Sequence, residues 1–458
     1  MLFHTWPFLL FFLIVYVIYL SLRKTPYWLH WLLITSYFFY GWWNPLYLLL
    51  IVYSTLLDYI CVIWMDRSGQ RKRWLAISIA NNLLLLGFFK YGGFVTENVN
   101  SLLEQLGVAY AIRAPGVLLP VGISFYTFQS MSYTIDFYRG EIERERSFVR
   151  FAAFVSLFPQ LVAGPIERAR QLLPQLHRFP RIASQDVADG LSLFVVGLFK
   201  KVALADYLAM YVDPVYATPE RFAAPALMLA TFAFAWQIYF DFSGYTDMAR
   251  GVSRLMGIRL MKNFDNPYLA TSLGDFWSRW HISLSSWFRD YLYVPLGGNR
   301  RGSLMTYRNV LLTMVISGFW HGAAWTFVIW GGLHALATLA TRGAARSAWY
   351  RSRVPRSVKQ IVVFGIVCFA WIFFRAESVS DATMIISRIF TTGWLDPEFP
   401  LLVAGLVVAV WLYQFLYESR LRPWLEVPAL RTLLVVLMVL YMCIVPGSGG
   451  QAFIYFQF

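Results

Sequence analysis

The chain has 458 residues, of which 58% are hydrophobic, 19% are aromatic and 14% are charged, and its net charge is +14. A soluble domain has about 25% charged residues, so this chain lacks the charged surface that its apolar side chains would need in water. The composition excludes a soluble enzyme, a disordered chain and a disulfide scaffold, and it indicates a polytopic membrane protein.

Apolar runs long enough to cross the membrane recur along the whole chain. A helix of about 20 residues spans a hydrocarbon layer of roughly 30 Å. The sequence therefore predicts an all-α protein with about 11 to 12 transmembrane helices. The predicted spans are residues 5–22, 28–43, 46–65, 74–91, 119–138, 188–212, 226–244, 306–321, 323–341, 359–374, 399–417 and 431–446.

Two further apolar segments, residues 150–165 and 270–296, are too short or too polar to span. Irregular backbone at membrane depth is tolerated where it is buried in protein or lines water, so such segments mark a pathway. We interpret both as re-entrant or interfacial, and a plain interfacial helix stays open as the alternative.

The distribution of charge predicts the orientation, because cytoplasmic loops retain Lys and Arg. With the amino terminus outside, the predicted cytoplasmic loops sum to +20 and the opposite loops to −4. Both termini are then periplasmic, and the basic balance needs no nucleic-acid partner. The cytoplasmic stretch 245–308 is richer in arginine than a short loop, and several of its cations are candidates to bind the phosphates of a cytosolic ligand. These candidates are Lys262, Arg279, Arg289, Arg300 and Arg301.

His321 is the first candidate for catalysis. It lies in SGFWHGAAW (317–325), at the junction of two apolar spans, where small residues leave room beside the imidazole. Ionisable groups in apolar spans are functional candidates by default. A neutral imidazole accepts a proton from an attacking hydroxyl group. A core histidine with a satisfied hydrogen bond is the structural alternative.

Other polar groups also lie in apolar surroundings. His334 is in WGGLHA (330–335), and His281 is in WSRWHISLSSWFRD (277–290). No HExxH motif and no Cys/His cluster at ligand spacing occurs, so no metal is expected. Asp241 either pairs with an arginine on the cytoplasmic side or takes part in function, and both interpretations stay open.

Seven segments, all of them after residue 119, together carry a family resemblance. They are PVGISFYTFQ (120–129), FPQLVAGPI (158–166), YFDFSGYTD (239–247), FWSRWHISLSSWFRDYLYVPLGG (276–298), SGFWHGAAW (317–325), WGGLHA (330–335) and FIYFQF (453–458). The sequence resembles the membrane-bound O-acyltransferase family, in particular its bacterial branch of alginate and peptidoglycan O-acetyltransferases.

The resemblance implies one membrane domain, residues 1–458, built around a central tunnel. Residues 1–118 would form amino-terminal helices, residues 119–345 the catalytic core, and residues 346–458 the carboxy-terminal helices with an outward-facing tail. His321 matches the family's catalytic histidine, and His281 and His334 match further histidines of its motifs. Alanine follows His334 where the family pattern has glycine, which leaves the role of His334 open.

The resemblance also implies an activity. The protein would move an acetyl group from cytosolic acetyl-CoA across the bacterial inner membrane onto an exported polysaccharide, with a periplasmic SGNH-type acetyltransferase as partner. Tyr455 in the tail would carry the acetyl group as a phenolic ester, or it would belong to an aromatic belt at the membrane surface. A secondary transporter and a non-catalytic scaffold are the alternative functions, although the two related halves typical of many transporters are not visible.

Overall fold

The computed structural model describes residues 1–396, 399–445 and 453–454, and all regular secondary structure in them is helical. The predicted all-α class is therefore confirmed for these residues. Contacts divide the chain into two compact units. The first is Met1–Phe194 with Ala249–Met261, and the second is Val195–Met248 with Lys262–Phe458.

The helices of the first unit follow the apolar runs of the amino-terminal part of the chain. They are α1 (Trp6–Leu22), α2 (Trp28–Gly41), α3 (Leu48–Arg67), α4 (Arg71–Leu86), α5 (Gly92–Gln105), α6 (Ile123–Arg139), α7 (Phe148–Ser156), α8 (Phe158–Leu161), α9 (Ala169–Leu176) and the greater part of α10 (Ser184–Phe199). The end of the long helix α12 also belongs to this unit.

The second unit holds the remaining helices and two π-helical segments, Lys200–Ala205 and Arg289–Tyr293. The helices are α11 (Asp206–Ala217), α12 (Ala224–Leu255), α13 (Leu273–Arg279), α14 (Ile282–Phe288), α15 (Gly302–His321), α16 (Trp325–Ala344), α17 (Ala348–Arg353), α18 (Arg356–Arg375), α19 (Val379–Thr391), α20 (Leu401–Tyr417), α21 (Arg422–Leu425) and α22 (Pro428–Ile444).

Helix length and composition support a membrane protein. In the described part of the chain, four helical segments are long and apolar enough to cross a bilayer, and α1, α20 and α22 are shorter apolar helices. The four segments are Pro45–Arg67, Arg71–Gln105, Ala224–Leu255 and Arg356–Arg375. The number of twelve spans and their orientation stay predictions. Both segments expected to be irregular are broken into short helices, α7 with α8 and α13 with α14.

A buried carboxylate joins three helices of the first unit. Asp58 on α3 is fully buried and accepts hydrogen bonds from Ser78 Oγ (2.6 Å) and Asn82 Nδ2 (2.9 Å) on α4. Ser130 on α6 donates a further hydrogen bond to its second oxygen. Because a buried polar group without partners is costly, these bonds fix how the three helices pack.

A second buried carboxylate lies in the loop before α9. Glu167 is 1% exposed, and its Oε1 accepts a hydrogen bond of 2.6 Å from the Met261 backbone N–H. Burial raises the pKa of Glu167 to about 7, although the N–H of Met261 and the charges of Arg250 and Arg168 act in the opposite direction. Glu167 thus joins the loop before α9 to the chain that follows α12, within the first unit.

In the second unit, α15 and α16 pack against each other with their backbones almost in contact. A Cβ atom on Gly318 would lie 2.3 Å from the Phe327 carbonyl oxygen, and one on Gly331 would lie 2.4 Å from the Met314 carbonyl oxygen. Only glycine permits this approach. The helix pair holds two of the predicted histidines, at the end of α15 and within α16.

Candidate active site

The structure brings the three predicted histidines together in the second unit. His281 lies between α13 and α14, His321 is the last residue of α15, and His334 is on α16. They are 0%, 3% and 1% exposed, respectively. In the described part of the chain, no group of three or more His, Cys, Asp or Glu side chains is arranged to hold a metal ion.

Two tryptophan rings connect the histidines into one cluster. Trp320 lies 6.4 Å from His281 and 5.0 Å from His321, measured between ring centroids. Trp330 lies 5.2 Å from His321 and 4.6 Å from His334. We call these five residues the histidine cluster. Its aromatic packing gives the imidazoles dry surroundings, in which electrostatic interactions are strong.

The backbone at His281 has an uncommon conformation. Its φ is 43°, in the left-handed region, which is uncommon for a residue other than glycine. Asn263 stabilises this turn, because its carbonyl oxygen accepts from Ile282 N–H and its Oδ1 accepts from Ser283 N–H. His281 Nδ1 lies 3.2 Å from the same Oδ1. Since Oδ1 is an acceptor, His281 Nδ1 carries a proton and donates to it.

The ring of His334 is enclosed by aromatic side chains. Trp330, Trp277 and Phe276 lie 4.6, 5.0 and 6.0 Å from it between ring centroids. Both ring nitrogens of His334 and the indole nitrogens of Trp277 and Trp330 are buried without a hydrogen-bond partner in the described part of the chain. Buried polar atoms of this kind take hydrogen bonds from water or from a bound ligand.

The glycines near His321 serve helix packing and not open space. Gly318 and Gly331 bring α15 and α16 together, as described above. A Cβ atom on Gly322 would lie 2.1 Å from the Phe327 ring, so that ring fills the volume beside it. The expectation that the small residues leave room beside the imidazole is therefore wrong at these positions. Of the four glycines in the motifs 317–325 and 330–335, Gly332 alone has nothing within 4 Å of an added Cβ atom.

The five predicted phosphate-binding cations also lie in the second unit, but they differ in their surroundings. Arg279 is held between Asp275 and Glu418, with both N–O distances 2.7 Å. Lys262 and Arg289 are more exposed and each has one carboxylate partner, Asp265 and Asp290 respectively. Arg300 and Arg301 are exposed, and the described residues provide no carboxylate partner for either.

The sequence suggested an arginine as the partner of Asp241, and this is wrong. Asp241 is 2% exposed, and its Oδ1 lies 2.8 Å from the Nζ of Lys201. Lys201 also contacts Asp206 Oδ1 at 2.9 Å. Charges inside apolar spans are the signal that identifies such groups. That signal does not say which charges meet.

Tyr455 lies outside the described residues. The two residues before it are described and buried, since Phe453 is 1% exposed and Ile454 is 3% exposed. The Phe453 ring packs against Phe242 at 5.8 Å, and Phe242 lies 4.6 Å from the ring of His281. The described part of the tail is thus separated from the histidine cluster by one ring.

A sequence profile decides the family. The profile of the membrane-bound O-acyltransferase family matches residues 139–379, which is more than half of the chain and includes the whole histidine cluster. The chain belongs to the membrane-bound O-acyltransferase family. The predicted family and the predicted class of enzyme, an acyltransferase, are confirmed.

Curated relatives of this acyltransferase agree with that assignment. It is 41% identical to the probable alginate O-acetylase AlgI of Pseudomonas aeruginosa over 366 residues, which is 79% of this chain and 69% of the relative. It is 37% identical to the probable alginate O-acetylase AlgI of Pseudomonas putida over 460 residues, 93% of this chain and 94% of the relative. It is 32% identical to the peptidoglycan O-acetyltransferase of Helicobacter pylori over 488 residues, which cover 93% of this chain and 91% of the relative.

Three features of the site were not predicted from the sequence. Asn263 shapes the turn at His281, but an amide in a loop has no pattern that assigns it this use. Trp320 and Trp330 stand in the motifs that were noticed for their histidines. Lys201 was visible only as a charge within a predicted span.

Proposed function

We propose that this acyltransferase moves acetyl groups from cytosolic acetyl-CoA across the bacterial inner membrane for O-acetylation of an exported polysaccharide. The observation that carries the proposal is similarity over nearly the whole chain to relatives named for alginate and peptidoglycan O-acetylation. The acceptor is alginate, peptidoglycan or a similar envelope polymer. Acetyl-CoA is the donor, and no metal takes part.

The histidine cluster supports a general-base mechanism with His321 as the catalytic residue. The imidazole of His321 takes the proton from the acceptor hydroxyl while that oxygen attacks the thioester carbonyl carbon. The carbon–sulfur bond then breaks, and the imidazolium returns the proton to the thiolate of CoA. The products are an acetyl ester and the free thiol. Burial by aromatic rings limits competing hydrolysis of the thioester, because it excludes water.

We assign supporting roles in this reaction centre to His334 and His281. His334, with the indole N–H groups of Trp277 and Trp330, provides buried hydrogen-bonding atoms for a polar group of the substrate. His281 is oriented by Asn263 through its Nδ1, which sets the tautomer in which Nε2 is an acceptor.

The donor's phosphates are placed on the cytosolic side, against the predicted cationic stretch. Arg300 and Arg301 are the strongest candidates there, because they are exposed and have no carboxylate partner among the described residues. Lys262 and Arg289 are secondary candidates. Arg279 is a positioning group rather than a free ligand, since two carboxylates already hold its guanidinium.

The charge distribution predicts that both termini are periplasmic. Tyr455 takes the acetyl group on its phenolic oxygen, and a periplasmic SGNH-type partner moves it from there to the polymer. Tyr455→Phe keeps the aromatic volume and deletes the nucleophile. Normal acetylation of the polymer by this variant would mean direct transfer from the histidine cluster and an aromatic-belt role for the tail.

One experiment tests the reaction itself. Purified protein is incubated with acetyl-CoA labelled in the acetyl group, and CoA release, covalent labelling and transfer to polymer are measured. General-base assistance contributes about 10² to 10⁴-fold, so His321→Ala should lower transfer by that factor. His30→Ala, a change at an exposed histidine, is the matched control. Transfer at the wild-type rate by His321→Ala would remove this histidine from the mechanism.

A further inference from the structure

Three buried charges form a network in the second unit that the mechanism above does not use. Lys201 Nζ lies 2.9 Å from Asp206 Oδ1 and 2.8 Å from Asp241 Oδ1. All three side chains are at most 4% exposed. We call these residues the charge triad. Two carboxylates share one ammonium group, so an oxygen of Asp241 is available for another donor.

Close helix packing explains why the triad forms here. The end of α10 and α12 meet at two glycines, because a Cβ atom on Gly197 would lie 2.5 Å from the Gly244 carbonyl oxygen. Lys201 follows within the π-helical segment, whose wider turn presents consecutive lysines to α12. Lys200 pairs with Asp247 at 2.7 Å and Lys201 pairs with Asp241. One helix crossing therefore carries two separate ion pairs.

The second oxygen of Asp241 binds the backbone of the carboxy-terminal tail. Its Oδ2 accepts a hydrogen bond of 2.7 Å from the Ile454 N–H. Beside this bond, the Phe453 ring lies 4.9 Å from Tyr245 and 5.8 Å from Phe242. A hydrogen bond to a carboxylate is about twice as strong as one between neutral groups. It also positions the chain without depending on the side chain of the residue that donates.

We propose that Asp241 is the anchor of the carboxy-terminal tail, and that Lys201 and Asp206 hold it in the orientation that leaves Oδ2 for Ile454. The proposal deepens the proposed function, on which its consequence for catalysis rests. Tyr455 is the next residue in the sequence, so the anchor fixes the residue before the proposed acetyl carrier. Asp241 is a positioning residue in this scheme. Phe453 and Ile454 are then held in place on the second unit.

Hydrogen–deuterium exchange of the full-length protein in detergent tests the anchor without substrate. The measured quantity is the exchange rate of the carboxy-terminal peptide that contains Phe453. Asp241→Asn replaces the charged acceptor by a weaker neutral one, which should raise this rate about tenfold. Asp247→Asn is the matched control, because it removes the charge of the other ion pair on the same helix and leaves the tail contact. Its tail should exchange at the wild-type rate.

Asp241→Asn could also disturb folding, because it changes a buried ion network. A second pair of variants therefore tests the hydrogen bond of Ile454 N–H without changing Asp241. Ile454→Pro deletes only the N–H donor and leaves the charge triad intact, whereas Ile454→Val keeps the donor. Faster exchange in the proline variant alone supports the anchor. Exchange at the wild-type rate in both overturns it. Since no substrate is present, failure of acetyl transfer in the wild-type protein would refute the proposed function but not the anchor.

Discussion

The packing of α15 against α16 leads to a prediction with a magnitude that follows from distances. In Gly331→Ala, the new methyl group would lie 2.4 Å from the Met314 carbonyl oxygen, whereas ordinary contact begins at 3.4 Å. The two helices must separate by about 1 Å, which moves His334 relative to His321. A misplacement of about 1 Å lowers catalytic rates on the order of 100-fold. Overpacking of this kind also destabilises by about 1–3 kcal/mol.

The neighbouring glycine is a matched control for this change. A Cβ atom on Gly332 has nothing within 4 Å, so Gly332→Ala should keep the rate and gain up to about 1 kcal/mol of helix stability. Acetyl transfer from labelled acetyl-CoA and thermal unfolding in detergent are measured for both variants. Equal rates and equal melting temperatures for the two would refute the argument that backbone contact between α15 and α16 sets the geometry of the histidine cluster.

Two further predictions concern charge. Burial raises the pKa of Glu167 from 4.5 to about 7. Between pH 4.5 and pH 7 the folded protein therefore binds more protons than the unfolded chain. The free energy of unfolding should fall as pH rises through this range. Glu167→Gln keeps an acceptor for Met261 N–H but does not titrate. Its melting temperature should therefore change less between pH 4.5 and pH 7 than that of the wild-type protein. An equal pH dependence of the two proteins would contradict the assignment. Replacing Arg300 and Arg301 together by glutamine should raise KM for acetyl-CoA about tenfold with little change in kcat, because each removes a charge-assisted contact to phosphate. Arg353→Gln, at another exposed arginine, is the control, and an unchanged KM in the double variant would place the phosphates elsewhere.

The apolar runs predicted the helices well because each run is a local property of the sequence. Residues 306–321 and 323–341 became α15 and α16, and the break between them falls at Gly322, which is extended with φ −158°. The broken segment 270–296 was recognised by its polar residues and length. Its fine structure depends on Asn263, a residue outside that segment, and a local pattern contains no such contact.

Glycine patterns were visible in the sequence but were ambiguous in meaning. A glycine beside a histidine satisfies two requirements equally well, space for a substrate and close approach of two backbones. The short distances from Gly318 and Gly331 to the facing helix show that these two glycines serve the close approach of the backbones. The choice depends on which helix faces the glycine, and that is a property of the tertiary structure.

For buried charges, too, the local sequence identifies the residue, but only the tertiary structure gives its partners. The sequence identified Asp241 as an ionisable group in an apolar span, since hydration cannot stabilise it there. Electrostatic attraction alone favours any nearby cation, and the sequence left two interpretations open, pairing with an arginine on the cytoplasmic side or a role in function. Close packing at Gly197 and Gly244 instead brings the π-helical segment against α12, and Lys201 contacts Asp241 there. That lysine binds one oxygen of Asp241, and the other oxygen accepts a hydrogen bond from a third segment. In the described residues this donor is the N–H of Ile454, a contact across 213 residues of sequence that no motif could indicate.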